Sequence, residues 1–477
     1  MKHFQLLFIF LISSVILFAQ EDSFFFEDDF SSNEEVPSSF ISFDSGGSVG
    51  GFTDYYNEVW SSNLFLNLDF TAQTSVVDLV SNIDVKINNL DNFSNFPLQN
   101  NQYNSSFYVD SLFARFYHKM FDLEVGLLKP IWGNADGIHA VDVLNPIDYS
   151  NLFGTSYLES KIAQQMVKLN IPIARSSLLE VAYLPTFKGD YIPLSGKWAP
   201  LYIKNMENTI REMAYAQAVA QAAQQDPTLS YEQLVQAVSP SVEAQLKSFD
   251  YTIHFEESEY FVDSQIGARF TTTLSSMDLG LTYYYGFLKQ PTIDPQDIIA
   301  TSSLNLVYNR VQTIGFDVAA QVGSFNLKGE VGYNLTEDFE GNDPSINNNS
   351  LKYILGFDIN LPINNMNLLI QGIGNTIINS SEIGMLDSEY SSDDEYTTIT
   401  LMGRVSDTYL NDTLSGEITG SFNVLDQDFM VKPKVSYSIT DNSKCYVEYL
   451  LLEGNEDTTF GQYRDNDTFK IGVEINF

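Results

Sequence analysis

Only one cysteine, Cys445, stands in this chain of 477 residues, so no intrachain disulfide can form. Cations are scarce too, 24 lysines and arginines against 62 acidic residues, and the net charge of −38 makes nucleic acid an improbable partner because phosphates demand cations. After the first twenty residues no run of roughly 18 apolar residues occurs, which leaves no spanning helix. A membrane role must then be peripheral or rely on strands. Outside that first segment the histidines are His118, His139 and His254, too far apart for any zinc-binding spacing. No Gly-x-Ser-x-Gly elbow or phosphate-cradling loop occurs either, so an enzyme is not expected.

What is present begins with Met1-Lys-His-Phe-Gln-Leu-Leu-Phe-Ile-Phe-Leu-Ile-Ser-Ser-Val-Ile-Leu-Phe-Ala-Gln20, a cation followed by an apolar run and then the acidic Glu21-Asp22. This reads as a secretory signal peptide over 1–20, and the absence of a cysteine near the cut argues against an acylated lipoprotein. Residues 21–40, with Phe24-Phe-Phe26 among acids, suit a periplasmic tail or a small plug equally well. The rest, 41–477, is 14% aromatic over the whole chain and rich in Asn, Ser, Thr and Tyr, a composition that suits half-buried strands.

Alternation supports that choice. In Phe469-Lys-Ile-Gly-Val-Glu-Ile-Asn-Phe477 the odd positions are apolar and the even ones polar or small, as a strand with one greasy and one wet face requires. The same period runs through 351–361, where Ile354 is out of pattern, through 429–439, through 63–70, where Phe65 is out of pattern, and through 77–87. A soluble sandwich also alternates, so the connections have to decide.

About 18 strands can be laid along the chain, with 16 as the alternative count, and their linkers fall into two alternating sets. Tight ones such as 73–75, 120–121, 174–176, 323–324 and 441–442 alternate with long polar ones, including 90–106, 132–160, 188–263, 291–307 and 379–396. Short turns on one rim and long loops on the other describe an all-β transmembrane antiparallel β-barrel. Closure also satisfies every backbone group in lipid.

Gly126-Leu-Leu-Lys-Pro-Ile-Trp-Gly133 followed by Asn145-Pro-Ile-Asp148 resembles a pattern of porin-like bacterial outer-membrane barrels, including a family of large uncharacterised ones. The strand-then-Pro character of 177–198 and the hairpin 264–292 are similar as well, so the resemblance covers about 107–292 plus the last strand. A basic or polar pair that many members carry after the Gly is replaced here by Leu127-Leu128. The terminal Phe477 looks like an assembly signal, which implies the barrel assembly machinery as a partner. The resemblance also implies residence in the bacterial outer membrane and passage of small solutes.

The expected lumen-facing charges are of both signs: Arg269, Lys328, Lys352, Arg404, Lys432 and Lys434 against Glu330, Asp358, Glu417 and Glu448. The acidic excess lies in long loops, at Glu382, Asp387, Glu389 and Asp393 to Glu395, and at Glu256, Glu257, Glu259 and Asp263. Such a mouth enriches cations, and a weak cation preference is expected. Trp132, Gly133, Asp136, His139, Asp142, Asn145, Pro146 and Asp148 form one loop motif, read as the rim and constriction loop of a pore and not as a metal site, with Trp132 expected at the membrane interface and Asp136, His139 and Asp142 pinning the loop against the barrel mouth. Turn chemistry accounts for Asn145-Pro146.

Residues 204–248 break the β pattern with strong helix formers. Ser230-Tyr-Glu-Gln233 is a capping box for a second helix, and Ser239-Pro240 suggests the start of a third. In the longest extracellular loop, this helical insert is expected to act as a constriction or lid, with an outward cap as the alternative. No cofactor is expected; calcium in Glu337-Asp-Phe-Glu-Gly-Asn-Asp343 is a nonspecific alternative without EF-hand spacing. The functional expectation is a porin-like channel or transporter for small solutes, in contact with outer-membrane lipid and compatible with a homo-oligomer. The alternatives are an adhesin on a barrel and an uptake channel for hydrophobic compounds.

Overall fold

The computed structural model describes residues 41–87, 105–151, 153–293, 303–384, 387, 389–391 and 394–477. The signal peptide and the segment 21–40 lie outside these residues. The first half of the wall is β1 (Ser42–Tyr56), β2 (Val59–Gln73), β3 (Val77–Ile87), β4 (Ser105–His118), β5 (Phe121–Leu128), β6 (Gln164–Ala174) and β7 (Ser177–Leu184). After the short β8 (Asp250–Phe255) come β9 (Gln265–Leu274) and β10 (Met277–Phe287), then the short β11 (Thr292–Ile293) and β12 (Ser303–Val307). The wall resumes with β13 (Arg310–Val322), β14 (Phe325–Thr336), β15 (Ser350–Asn360), β16 (Asn367–Ile377) and β17 (Thr397–Tyr409). It ends with β18 (Leu414–Asn423), β19 (Phe429–Thr440), β20 (Ser443–Glu453) and β21 (Thr468–Asn476).

Each wall strand pairs antiparallel with the next, and β21 pairs with β1, so 18 strands close into a ring with no free edge. This is the barrel expected from the two sets of linkers. Its strand number is the 18 read from the alternation, not 16. Closure is completed at the last residue, where Gly47 and Phe477 exchange backbone hydrogen bonds of 3.0 Å in both directions.

The outside of the ring is apolar, with Leu281, Phe316, Leu355, Ile418, Val435 and Val473 all exposed there. Toward the long loops it carries Tyr55, Trp60, Tyr183, Tyr283, Tyr285 and Tyr449; toward the tight turns it carries Phe43, Phe70, Phe325, Tyr409, Tyr437 and Phe477. Two aromatic girdles flanking an aliphatic band are the construction of a transmembrane barrel of the bacterial outer-membrane kind, since aromatic rings favour the headgroup level. No helix of the described residues is long and apolar enough to cross a membrane.

Tight turns exploit left-handed backbone. Asn57 and Glu58 both have positive φ, 47° and 62°, which lets a two-residue connection follow the twist of the strands it joins.

The insert folds into α2 (Leu201–Lys204), α3 (Met206–Gln225) and α4 (Tyr231–Lys247), after a single-turn α1 (Tyr157–Ser160) in an earlier loop. The capping box at Ser230 and Gln233 forms, with both reciprocal bonds present. No third helix starts at Ser239-Pro240, because α4 runs through Pro240. Leu234, Val238, Val242 and Leu246 explain this: at four-residue spacing they form one buried stripe across the proline, and packing outweighs the lost backbone bond. That stripe meets Met206, Ile210 and Val219 of α3, together with Phe249 and Leu304 of β12. The hairpin therefore packs on the small sheet of β8, β11 and β12, whose strands do not pair with the ring.

Candidate functional site: the occupied lumen

Lumen-facing positions are fixed by register, and the exceptions to alternation mark where something packs inside. Ile354 is 4% exposed and lies among Ala135, Ala140 and Val141 of the loop 129–163. That loop, which joins β5 to β6, turns inward and its apolar residues form a core inside the barrel. Trp132, Val141 and Leu144 are all 0% exposed. Trp132 and Leu144 pack with Leu128, Met166, Ala182, Leu184 and Tyr284, so the tryptophan is not at the membrane interface as the sequence suggests. Its burial follows from the loop's direction, which a local reading cannot see.

Glycines make the room. A β-carbon added at Gly267 would lie 2.7 Å from the Trp132 ring, at Gly315 2.6 Å from Val141, and at Gly332 2.5 Å from the Ala140 carbonyl. These three glycines, on β9, β13 and β14, form a groove in the wall that admits the loop backbone closely.

Glu330 on β14 holds the loop. Its Oε1 accepts from the Ala135 amide at 2.7 Å and lies 3.0 Å from His139 Nδ1, while Oε2 accepts from the Ala140 amide at 2.7 Å. Gly133, with φ of 113°, passes so close that a β-carbon would meet Glu330 Oε1 at 2.3 Å. Around this clamp, Asn134 donates to Asp317 at 2.6 Å, the buried Arg269 donates to the same carboxylate oxygen at 2.8 Å, and Lys328 donates to Asp136 at 2.6 Å. Gln371 of β16 accepts from the Asp136 amide and donates to its carbonyl, both at 3.2 Å.

The loop's stem is stapled by Asn145, whose side-chain amide donates to the Leu128 and Ile162 carbonyls at 2.8 and 3.0 Å. Asp142 accepts from Lys161 at 2.5 Å and from the Tyr157 hydroxyl at 2.9 Å. Burial pulls Lys161 below the ordinary lysine range, and the Asp142 carboxylate works against that pull. The Asp148 amide donates to the Ser160 carbonyl at 2.7 Å, and Pro146 accepts from the Ile162 amide at 2.8 Å. Residues 132–141 thus reach into the lumen, while Asn145, Pro146 and Asp148 tie the stem to Leu128, Ser160 and Ile162.

A second segment, 185–200, crosses from β7 as a strap. The Asp190 carboxylate accepts from the Ile147 amide at 2.8 Å, and Tyr191 exchanges backbone bonds of 2.9 Å with Ile147 and Tyr149. At its far end Trp198 packs with Phe153, Phe460 and Tyr463 over Met430, Leu450 and Leu452, on nearly the opposite side of the ring. Lys197 donates to Thr468 at 3.2 Å and lies 4.0 Å from Asp54 of β1.

The other candidate lumen charges lie along the inner faces of β14 to β20. Asp358 is 3.8 Å from Lys328, Lys432 donates to the Phe153 carbonyl at 2.9 Å, and Glu448 pairs with Lys470 at 3.4 Å. Lys434 stands opposite Glu417 in the register, Arg404 opposite Thr419, and Lys352 is exposed toward the lumen. They are not one cluster: Arg269, Lys328 and Glu330 surround residues 133–140 of the inward loop, while Lys432 holds its Phe153 from β19 and Lys434 and Glu448 line the same part of the wall. Sequence reasoning missed Asp317, Gln371, Lys161, Asp190 and the groove glycines; lumen-side glycines in alternating strands were the one available signal. In the loop considered for calcium, the Asp338 oxygens accept from the Gly341 and Asp343 amides at 2.9 and 2.8 Å. Among the described residues, no three His, Cys, Asp or Glu side chains are placed to hold a metal.

No protein-family model matches the chain, and no curated protein does. Among solved structures it is similar to Acinetobacter baumannii OccAB3, at 11% identity and a TM-score of 0.48 over 91% of this chain and 99% of that one. Pseudomonas aeruginosa OpdK with vanillate gives 10% identity and 0.48 over 91% and 98%. Pseudomonas aeruginosa OccK8 (OprE) gives 11% and 0.49 over 92% and 99%. The fold class rests on this chain's own ring of pairings: it is a closed transmembrane β-barrel whose lumen is occupied by two of its loops.

Proposed function

We propose that this chain is an outer-membrane, porin-like channel for small solutes, in which loop 129–163 narrows the passage and the strap 185–200 braces it. The observation that carries the reading is the clamp of Glu330 on Ala135, His139 and Ala140, which holds a loop across the lumen instead of leaving it at the surface. The helical insert is not the constriction in this reading, because its apolar stripe is buried on its own small sheet.

The remaining passage runs between walls of unlike charge. Asp54, Asp69, Asp84 and Asp110 face inward on β1 to β4, offset by Lys86 and Lys129, while Lys432, Lys434, Lys444 and Lys470 face inward on β19 to β21, offset by Glu417, Glu448 and Glu474. Mixed walls hold water without a strong choice of ion sign, and acidic loops enrich cations over about 8 Å at physiological salt. Planar-bilayer recording tests the core of the proposal. Excising 134–141 should raise single-channel conductance several-fold, and a protein that conducts nothing in any form would favour the adhesin reading.

A further inference from the structure

We propose that the cavity between the strap and β8 is a binding site for a small neutral carbohydrate, set above the constriction; this rests on the channel reading. The half-open cavity has a volume of about 510 Å3 and lies between Phe187–Ser195 of the strap, Phe255, Glu256, Ser258 and Tyr308. That volume is in the range of small-molecule sites, roughly 300–1,000 Å3.

Its walls are pre-formed. The Phe187 ring is wedged against Phe287 and Tyr308, both at 4.7 Å, and its amide donates to Ser258 Oγ at 2.9 Å. Tyr308 lies across Gly189, where a β-carbon would come within 2.3 Å of the ring. The strap backbone is fixed on its other side by the Asp190 amide donating to the Lys289 carbonyl at 2.8 Å. Little ordering is therefore left for a ligand to induce.

The chemistry of the walls selects the class. Tyr191 and Phe255 are exposed, 54% and 38%, and offer ring surface against which the C–H face of a sugar ring can lie. The charged groups are Lys188, Asp190 and Glu256, and the Asp190 carboxylate already accepts from Ile147. Asp190 also lies within the field of the cations Lys289 and Lys352, which counter its charge, so Lys188 and Glu256 are the opposite pair left to a ligand, with no net charge to reward an ionic one for losing its water. A hydroxyl donates and accepts, so a polyhydroxylated solute can satisfy Glu256 and Lys188 together. The −38 charge of the chain further disfavours an anion.

Maltose is the test probe, titrated calorimetrically into the full-length protein in detergent and added to either side of a planar bilayer. Binding should be accompanied by current interruptions only from the long-loop side. Phe255→Ala and Glu256→Gln, made separately, should each weaken it roughly tenfold, the equivalent of about 1.4 kcal/mol. An unchanged strand signal in circular dichroism would show that each variant is folded. No heat and no interruption by maltose would overturn the site, as would tighter binding of benzoate or tetramethylammonium, or wild-type affinity in both variants. Maltose binding by a protein that carries no current would support the site and overturn the channel reading instead.

Discussion

Both carboxylate oxygens of Glu330 are committed to a loop that begins about two hundred residues earlier, which makes this one side chain the positioning residue of the constriction. Glu330→Ala would strand two backbone amides, a loss of about 1–3 kcal/mol for each buried donor. The expected result is a larger and noisier single-channel current in a barrel that still forms, measured in bilayers; a quiet current of wild-type size would refute the role. Lys289 makes a different kind of prediction. Burial beside Phe187 and Tyr284 brings it down to about 7, with Asp190 opposing the shift. The folded chain holds that proton less tightly than the unfolded one, so stability is penalised below pH 7 and the penalty fades as pH rises toward the ordinary lysine value of about 10.4. Lys289→Met should therefore raise the Tm in detergent at pH 6 by more than at pH 10, and equal shifts would count against the assignment.

At the level of elements, the groove of Gly267, Gly315 and Gly332 and the loop it admits are one fitted pair. Gly332→Val would press on the Ala140 carbonyl, where even a β-carbon has only 2.5 Å, and should raise conductance much as excision of 134–141 does. Removing the hairpin 205–248 should leave single-channel conductance near wild type, because its core is shared with the small sheet and not with the inward loop; a several-fold rise would restore the lid expected from sequence. The strands were legible because lipid on one side and water on the other impose period two, and every strand interval read from that period has its counterpart in the ring. Ile354 and Phe65 violated the pattern for a physical reason. Ile354 meets the inward loop, and Phe65 covers Gly50, where a β-carbon would lie 2.5 Å from its ring. Loop 129–163 was readable as a rim and constriction loop, but the contacts that set its path were not, since they run to Asp317, Glu330 and Gln371 far along the chain. Pro240 shows the same limit in a helix, where a local stop signal yields to a buried stripe.

For the molecule as a whole, charge and architecture set different properties. The ring of 18 strands fixes how wide a passage the wall could offer, and the two inserted loops fix how much of it remains. The charge of −38 acts on what approaches. Reversal potentials in a tenfold salt gradient should show a cation permeability modestly above that of the anion and converging with it at high salt, as screening shortens the reach of the loops. Anion selectivity would sink this part of the reading.

The strap also has a temporal meaning. It leaves the wall at β7, and Lys197 ends beside Asp54 of β1 and Thr468 of β21, while Asn466 donates to the Lys197 carbonyl at 2.5 Å. Those partners come together only when the first and last strands have met. The strap's full set of contacts at that end therefore exists only once the seam has zipped, so the passage takes its final form with the closure of the barrel and not before it.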